Sequence, residues 1–590
     1  MENNGDLDLN CHATGDVRLD TAIYQWITWD KNPKTRAQIE ALLLDGQVEE
    51  LRRRLCSRMT FGTAGLRAAM GAGFALINDL TIIQSTQKYY DLFFLFHRLA
   101  RLTAAVMLCK DIPVFLFSTY VPTPFVPYAV KRLGAAAGVM VTASHNPKED
   151  NGYKVYWHNG AQISSPNDKE ILKCIEESSE PWSESWNESL ADNSPLRSDP
   201  LREISKKYME DLSSVCFHRY QFTSPLKFVH SSFHGVGHDY VQQAFRAFGF
   251  PPPIPVPEQK DPDPNFSTVS CPNPEEGESV LELSLRLAER ENATIVMATD
   301  PDADRLAVAE QSDRCGWKVF TGNELAALLG WWMLFNWKET HSDPADRERM
   351  YMLATTVSSK ILKAFARIEG FHFEETLPGF KWIGKKIHEL AKTGNEVIFA
   401  FEESIGFLCG SMVPDKDGVS AAVVVAEMAS YLYNKNLTLH QQLENIFEIY
   451  GYHISTTSYV ICHDPPTVKR IFTRLRNFEG ENTYPRSSGG HSIVDVRDVT
   501  TGYDSSQPDK LCVLPMTKSS QMITFTLQNG IVATLRTSGT EPKIKFYTEF
   551  CAPPGKSDIS SLEEELKKVT DTLVEEFLEP DKNNLIRRSI

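Results

Sequence analysis

Ser144 and His145 stand side by side in the run Val139 to Lys154, VMVTASHNPKEDNGYK, and Lys154 closes it. The apolar stretch Ala135 to Val141 fits a buried strand. Pro147 disfavours helix at Asn146, so an exposed turn is expected after that strand. A hydroxyl, an imidazole and an ammonium at a strand end can fix and activate a nucleophile. The competing reading is a turn whose Ser and Asn bond only the backbone. A second cluster, Asp300, Asp302 and Asp304, follows directly on the apolar run Thr294 to Ala298. Carboxylates this close repel unless a cation or basic groups neutralise them, and their hard oxygens suit Mg²⁺ or Ca²⁺. An EF-hand is excluded, because Arg305 stands where it needs Gly and Gln311 where it needs Glu. A solvated acidic loop is the alternative, but strand ends are where α/β folds build their sites.

Three further loops carry weaker signals. In FGTAGLR, residues 61–67, two glycines let backbone amides approach an anion and Arg67 offers a planar fork; a simple tight turn would look similar. GFKWIGKK, residues 379–386, resembles a phosphate loop but places Lys386 where a hydroxyl must bind Mg²⁺, so that reading is rejected. Lys381 remains able to meet an anionic substrate, or to be a surface lysine. Glu402 and Ser404 offer acceptors suited to sugar hydroxyls, or a helix N-terminus. Arg536, Ser538, Gly539 and Thr540 make a short anion nest, or a hairpin exit turn.

The elements that would position these loops read as follows. Residues 1–17 are polar and expected to be disordered. Ala22 to Trp29 and Ile39 to Leu55 read as helices, and Ile112 to Phe117 as a short strand. Glu176 to Pro200 reads as a polar surface excursion, and Pro251 to Pro264 as a loop or linker. Strands are expected at Leu226 to Val229, Met350 to Leu353 and Val397 to Phe401, and Val419 to Tyr433 as a helix. Gln528-Asn529-Gly530 marks a hairpin. Strands alternating with helices predict α/β domains with largely parallel sheets in the first three units.

The 590 residues are too many for one core. A net charge of -16 with no basic run argues against nucleic acid and anionic membranes. Eleven dispersed cysteines with no C-x-x-C pair suggest reduced thiols in the cytosol. No signal-peptide core is evident, and the apolar run Leu325 to Trp337 is too short to span a bilayer.

TASHNP, DPDAD and RTSGTEPK, taken as an ordered set, resemble the α-D-phosphohexomutase superfamily from about Leu19 onward. FGTAGLR, HGVGHDYV, DGVSAAVVVAEMASYL and TTGYDSSQPDK resemble its phosphoglucomutase-2 branch. The resemblance implies an α/β fold of four domains around one cleft: 1–220 with the phosphoserine loop, 221–345 with the metal loop, 346–451 with the sugar-binding loop, and an α+β domain, 452–590, with the phosphate-binding loop. It implies that Ser144 carries the phosphoryl group and that Mg²⁺ is held by Asp300, Asp302, Asp304 and the phosphoserine. Lys154 and His145 would be acid/base and charge-stabilising neighbours, with Arg67 and Arg305 steadying the transferring phosphate. Thr63, Lys381, Glu402, Ser404, Arg536, Ser538, Gly539 and Thr540 would bind substrate. SPNDKEILKCIEE, ETLPGFKWIG and EESIGFLCG look more like the branch's bisphosphate-forming synthases. Such an enzyme passes phosphate from 1,3-bisphosphoglycerate to glucose 1-phosphate or glucose 6-phosphate. The alternatives are a phosphoglucomutase/phosphopentomutase and a non-catalytic sugar-phosphate sensor. A cytosolic monomer acting on sugar phosphates is expected. One departure stands out. Between Gln87 and Leu99 the family has a further stretch of helix, a central strand and a GYDTR loop, so the first domain is expected to lack a strand.

Overall fold

The computed structural model describes residues 14–62, 65–87, 97–177, 180–218, 225–269, 271–312, 316–517, 520–538, 542–555 and 558–587. Thr63, Gly539, Thr540 and the first 13 residues of the expected disordered segment lie outside these. The chain packs into two compact units: Met1–Ala309 with Met412–Val423, and Glu310–Ser411 with Val424–Ile590. Among the described residues no helix is long and apolar enough to cross a membrane.

The first unit opens with the helix Val17–Trp29, capped by Asp16, whose side chain accepts from the amides of Arg18 and Leu19. Thr14 to Val17 are therefore ordered, contrary to expectation, and Thr14 also donates to Asp20. Leu19, Ile23, Trp26 and Ile27 recur at helical spacing and are all buried. They share a core with Leu51, Leu55 and Phe74. The single helix expected over Ile39 to Leu55 is two, Pro33–Leu44 and Val48–Leu55. The break falls at Gly46, in the left-handed region at φ 62°.

Ala137–Val141, every residue buried, pairs antiparallel with Asp150–Trp157, which pairs antiparallel with Leu66–Ala69 on its other side. The expected parallel sheet is thus absent here among the described residues. The link from Val141 to Asp150 is too short for a parallel crossover, which needs a dozen residues or more. Val114–Phe115 lies apart, paired parallel with Arg197–Ser198. The stretch from Glu176 to Pro200 is no surface excursion. Trp182 and Trp186 pack against Ile83, Leu102 and Val106, and Gln87 donates to the buried Ser185. Phe228–Ser231 is flanked in parallel by Ile295–Thr299 and Ile254–Pro255, so part of the Pro-rich linker is a strand.

Residues 412–423 return to the first unit through buried polar contacts. Gln162 donates to Asp415 at 2.7 Å, and Tyr208 to Asp417 at 2.6 Å. Asp417 also accepts from the amides of Val419 and Ser420 at the start of the helix Gly418–Tyr433. Burial raises its carboxyl to about 6 despite these donors. Because the native pKa exceeds the unfolded one, stability is full below about pH 4 and falls as pH rises through 6. The loss is about 3 kcal/mol for a shift of this size. Asp417→Asn removes that slope. Its melting temperature relative to the parent should climb between pH 4.5 and 7; a constant difference would refute this account.

In the second unit Met350–Thr355 lies between His372–Thr376 and Glu396–Glu402, parallel to both, and Gly406–Cys409 closes the sheet antiparallel. The helix Gly322–Thr340 starts with a capping box between Thr321 and Glu324. The C-terminal part is an eight-stranded sheet, with Ile531–Thr537 between Met522–Leu527 and Lys543–Cys551. The hairpin expected at Gln528-Asn529-Gly530 forms, with Gly530 at φ 96°. The two sheets of this unit are tied together. Glu375 pairs with Lys360 at 2.7 Å and Arg497 at 2.9 Å, and Arg497 also donates to Thr356. Burial would raise Glu375, but the two cations outweigh it and hold the carboxyl at about 2. The Lys360 amide donates to Glu549, and Asn323 bridges Ser455 and Ser359.

Candidate active site

Ser144 follows the buried strand Ala137–Val141 and sits in the left-handed region at φ 60°. A non-glycine residue held there costs about 1–2 kcal/mol, and such strain clusters at functional positions. Its hydroxyl donates to Asp300 at 2.6 Å, and His145 Nδ1 lies 3.2 Å from the same oxygen. Burial, then the charges of Arg305 and Arg67, hold His145 well below its ordinary pKa, so the ring is neutral at pH 7. Arg67, on Leu66–Ala69, donates to Asn146 at 3.1 Å, and its buried Nε has no partner.

Asp300, Asp302 and Asp304 follow the buried strand Ile295–Thr299 and are themselves buried. Each can offer an oxygen within 4.8 Å of the others. Lys154, fully buried in the centre of its sheet, donates to Asp302 at 2.7 Å and Asp304 at 2.9 Å. Burial would raise Asp304, but Lys154, Lys416 and Arg305 hold it well below the carboxylate range. Burial and the neighbouring aspartates push Asp300 well above it. Asp302 Oδ1 and Asp304 Oδ1 are buried with no hydrogen-bond partner. Two orphaned carboxylate oxygens in one buried cluster fit a hard divalent cation, which would supply the missing contact. Arg305 anchors the far side, its amide donating to Asp300 at 3.1 Å and its guanidinium to Glu275 at 2.9 Å. The structure thus gathers Ser144, His145, Lys154, Arg67, Arg305 and the three aspartates in one place.

The other predicted residues stand in the second unit. Lys381 opens the helix Phe380–Lys392 and is buried, with Nζ 5.8 Å from the Trp382 ring, so it is not a surface lysine. Gly379, at φ 111°, sets the turn into that helix, and its amide donates to Glu402 at 2.8 Å. Glu402 and Ser404 lie at the turn between Glu396–Glu402 and Gly406–Cys409, so no helix begins there. Arg536 is the penultimate residue of Ile531–Thr537, and the Ser538 amide donates to the Lys543 carbonyl at 2.9 Å.

Three family models match in sequence: phosphoglucomutase/phosphomannomutase α/β/α domain I over residues 58–182, domain II over 206–314 and domain III over 321–450. The chain belongs to the phosphoglucomutase/phosphomannomutase family. It is 67% identical to human glucose 1,6-bisphosphate synthase, over 99% of each chain, and 55% identical to human phosphopentomutase, over 97% of each. The fold matches the crystal structure of Paramecium parafusin, a phosphoglucomutase, with a TM-score of 0.63 at 18% identity over 90% of this chain and 98% of that one. The alignment with the human synthase extends over 616 positions against 590 residues here, leaving at least 26 positions without a counterpart in this chain.

Two groups in contact with these aspartates are not found by the sequence reading of this phosphoglucomutase/phosphomannomutase family member. Lys416 Nζ lies 3.0 Å from Asp304. Thr123, in the Pro122-Thr123-Pro124 corner, donates from its hydroxyl to Asp302 at 2.7 Å and from its amide to the Asp302 carbonyl at 2.8 Å. The loop is also held from below: a Cβ on Gly235 would lie 2.2 Å from Pro301 Cα, and one on Gly418 would lie 2.3 Å from the Arg305 carbonyl. Thr123→Val keeps the shape and removes one donor that orients Asp302. It should weaken divalent-cation activation by roughly 10–100-fold, the usual cost of losing such an orienting bond. An unchanged cation titration would show that Asp302 needs no such support.

Proposed function

We propose that this chain is a glucose 1,6-bisphosphate synthase, accepting a phosphoryl group on Ser144 from 1,3-bisphosphoglycerate and passing it to glucose 1-phosphate or glucose 6-phosphate. The observation that carries the choice is the 67% identity to the human synthase against 55% to the human phosphopentomutase. In the first half-reaction Ser144 Oγ bonds phosphorus as the bond from phosphorus to the donor's acyl oxygen breaks, releasing 3-phosphoglycerate as its carboxylate, and the hydroxyl proton passes to the neutral His145 ring, 3.2 Å from Oγ. In the second, the sugar hydroxyl oxygen bonds phosphorus as the Ser144 Oγ–P bond breaks; His145 returns its proton to Oγ and the sugar hydroxyl proton is taken up in its place. Such transfer depends on positioning and on neutralising charge on the equatorial oxygens. Arg67 and Arg305 supply cationic forks beside Ser144, while His145 contacts Oγ without adding a fixed charge to the resting site.

Mg²⁺ is the proposed cation, held by Asp300, Asp302, Asp304 and the phosphorylated Ser144. Bound there, it supplies Lewis-acid charge neutralisation. Lys154 orients Asp302, and Lys154 and Lys416 together keep Asp304 oriented and ionised. Glu402 and Ser404 are assigned to the sugar hydroxyls, and Thr63, Lys381, Arg536, Ser538, Gly539 and Thr540 to the rest of the substrate, chiefly its non-reacting phosphate. The reading divides the chain after residues 220, 345 and 451, with one such loop from each part. It takes the enzyme as a cytosolic monomer, in keeping with free cysteines among the described residues. It also places the missing strand of the first domain near residues 88–98. The isolation of Val114–Phe115 from the Ala137–Val141 sheet and the surplus positions of the human synthase support that placement.

The test measures two rates on one preparation: formation of glucose 1,6-bisphosphate from 1,3-bisphosphoglycerate and glucose 1-phosphate, and interconversion of the monophosphates. Faster bisphosphate formation is expected. Faster interconversion of glucose or ribose phosphates would assign a mutase. Sugar-phosphate binding without any label on Ser144 from a labelled donor would assign a sensor.

A further inference from the structure

Away from Ser144, the first unit contains a cavity of about 560 Å³, lined by Met59, Leu66, Leu172 and Ile175 together with Thr81 and Ser85. An arginine, Arg58, lines it. Its guanidinium lies 4.7 Å over the Phe74 ring and donates to Gln84 Oε1 at 3.1 Å. Among the described residues it has no ion pair; the nearest acidic influence, Glu176, acts on it only at longer range. Arg58, Phe74 and Glu176 line both this cavity and a wider groove of 1420 Å³. A guanidinium has five N–H donors, and one is used here on a neutral amide.

We propose that this cavity is a second ligand site, separate from Ser144, for a small organic anion carrying a phosphate monoester or carboxylate head. The head pairs with Arg58, in the bidentate geometry that guanidinium and these anions share. The carbon body lies on Met59, Leu66, Leu172 and Ile175. Leu66 is the neighbour of Arg67 in its strand, so an occupant touches the strand that presents Arg67 to the phosphoryl group.

The test is calorimetric and independent of turnover. The full chain carrying Ser144→Ala and Arg536→Met is titrated with glycerol 3-phosphate and with glutarate. Saturable binding of either supports the site, and which one binds identifies the head group. Adding Arg58→Gln should weaken binding at least tenfold, and Arg58→Lys should weaken it less. Leu172→Trp, which fills the cavity and leaves Arg58 in place, should also weaken it at least tenfold in a chain of unchanged melting temperature. No saturable binding at about 10 mM of either probe, or binding indifferent to both Arg58→Gln and Leu172→Trp, overturns the proposal.

Discussion

Ser144→Ala is expected to lower phosphoryl transfer by at least about 10⁴-fold, the scale seen when a covalent nucleophile is removed, with little change in fold. The variant keeps a β-carbon in the left-handed region, so the backbone strain at φ 60° is unaltered. What it loses is two hydrogen bonds, to Asp300 and with His145, worth about 1 kcal/mol each. Ser144→Gly separates strain from chemistry: it should be equally inactive yet no less stable than the alanine variant, because glycine adopts this conformation without penalty. Rates of transfer, label trapped from a phosphoryl donor and melting temperatures measure all three quantities. Near-parental turnover in either variant would remove Ser144 from the mechanism.

Asp302→Asn should cut turnover by at least about 10²-fold, the equivalent of several kcal/mol of charge stabilisation. Chelation of divalent cations should abolish the parental activity. The buried cluster sets three carboxylates against Lys154 and Lys416, and Asp302 contributes one of its two unpartnered oxygens. The amide is isosteric, keeps a contact for Thr123 and removes one negative charge from the cation's surroundings. The variant should therefore need more Mg²⁺ for half-activation while folding normally. Full activity of the parent in chelator would sink the metal assignment.

The parts of this site that could be read in sequence are those made from one short turn. TASHNP and DPDAD each carry several reactive groups within a few residues, and each follows an apolar run that the structure makes a buried strand. Thr123 and Lys416 could not be found that way, because each reaches an aspartate more than a hundred positions away. Asp415-Lys416-Asp417-Gly418, a lysine between two acids at a helix start, was the one available signal for the second. The helix over Ile39 to Leu55 was overextended because its apolar periodicity outweighed the Asp45-Gly46 breaker. The stretch from Glu176 to Pro200 was misread because its polar composition hid Trp182 and Trp186, whose area drives burial. The antiparallel first sheet was foreseeable from the short link after Val141, which the alternation of strands and helices obscured.

Glu375 sits between Lys360 and Arg497, while Glu549 and Asn323 add two further ties between the sheets of the second unit. Under the roles proposed above, those sheets carry the sugar-hydroxyl acceptors and the grip for the distal phosphate. Joined this way, they act as a calliper of set span. On those roles, a sugar phosphate would be gauged for length between Glu402 and Arg536 before any phosphorus–oxygen bond changes. Selection among hexose and pentose phosphates would then belong to the Glu375 junction as much as to the loops proposed to touch the sugar.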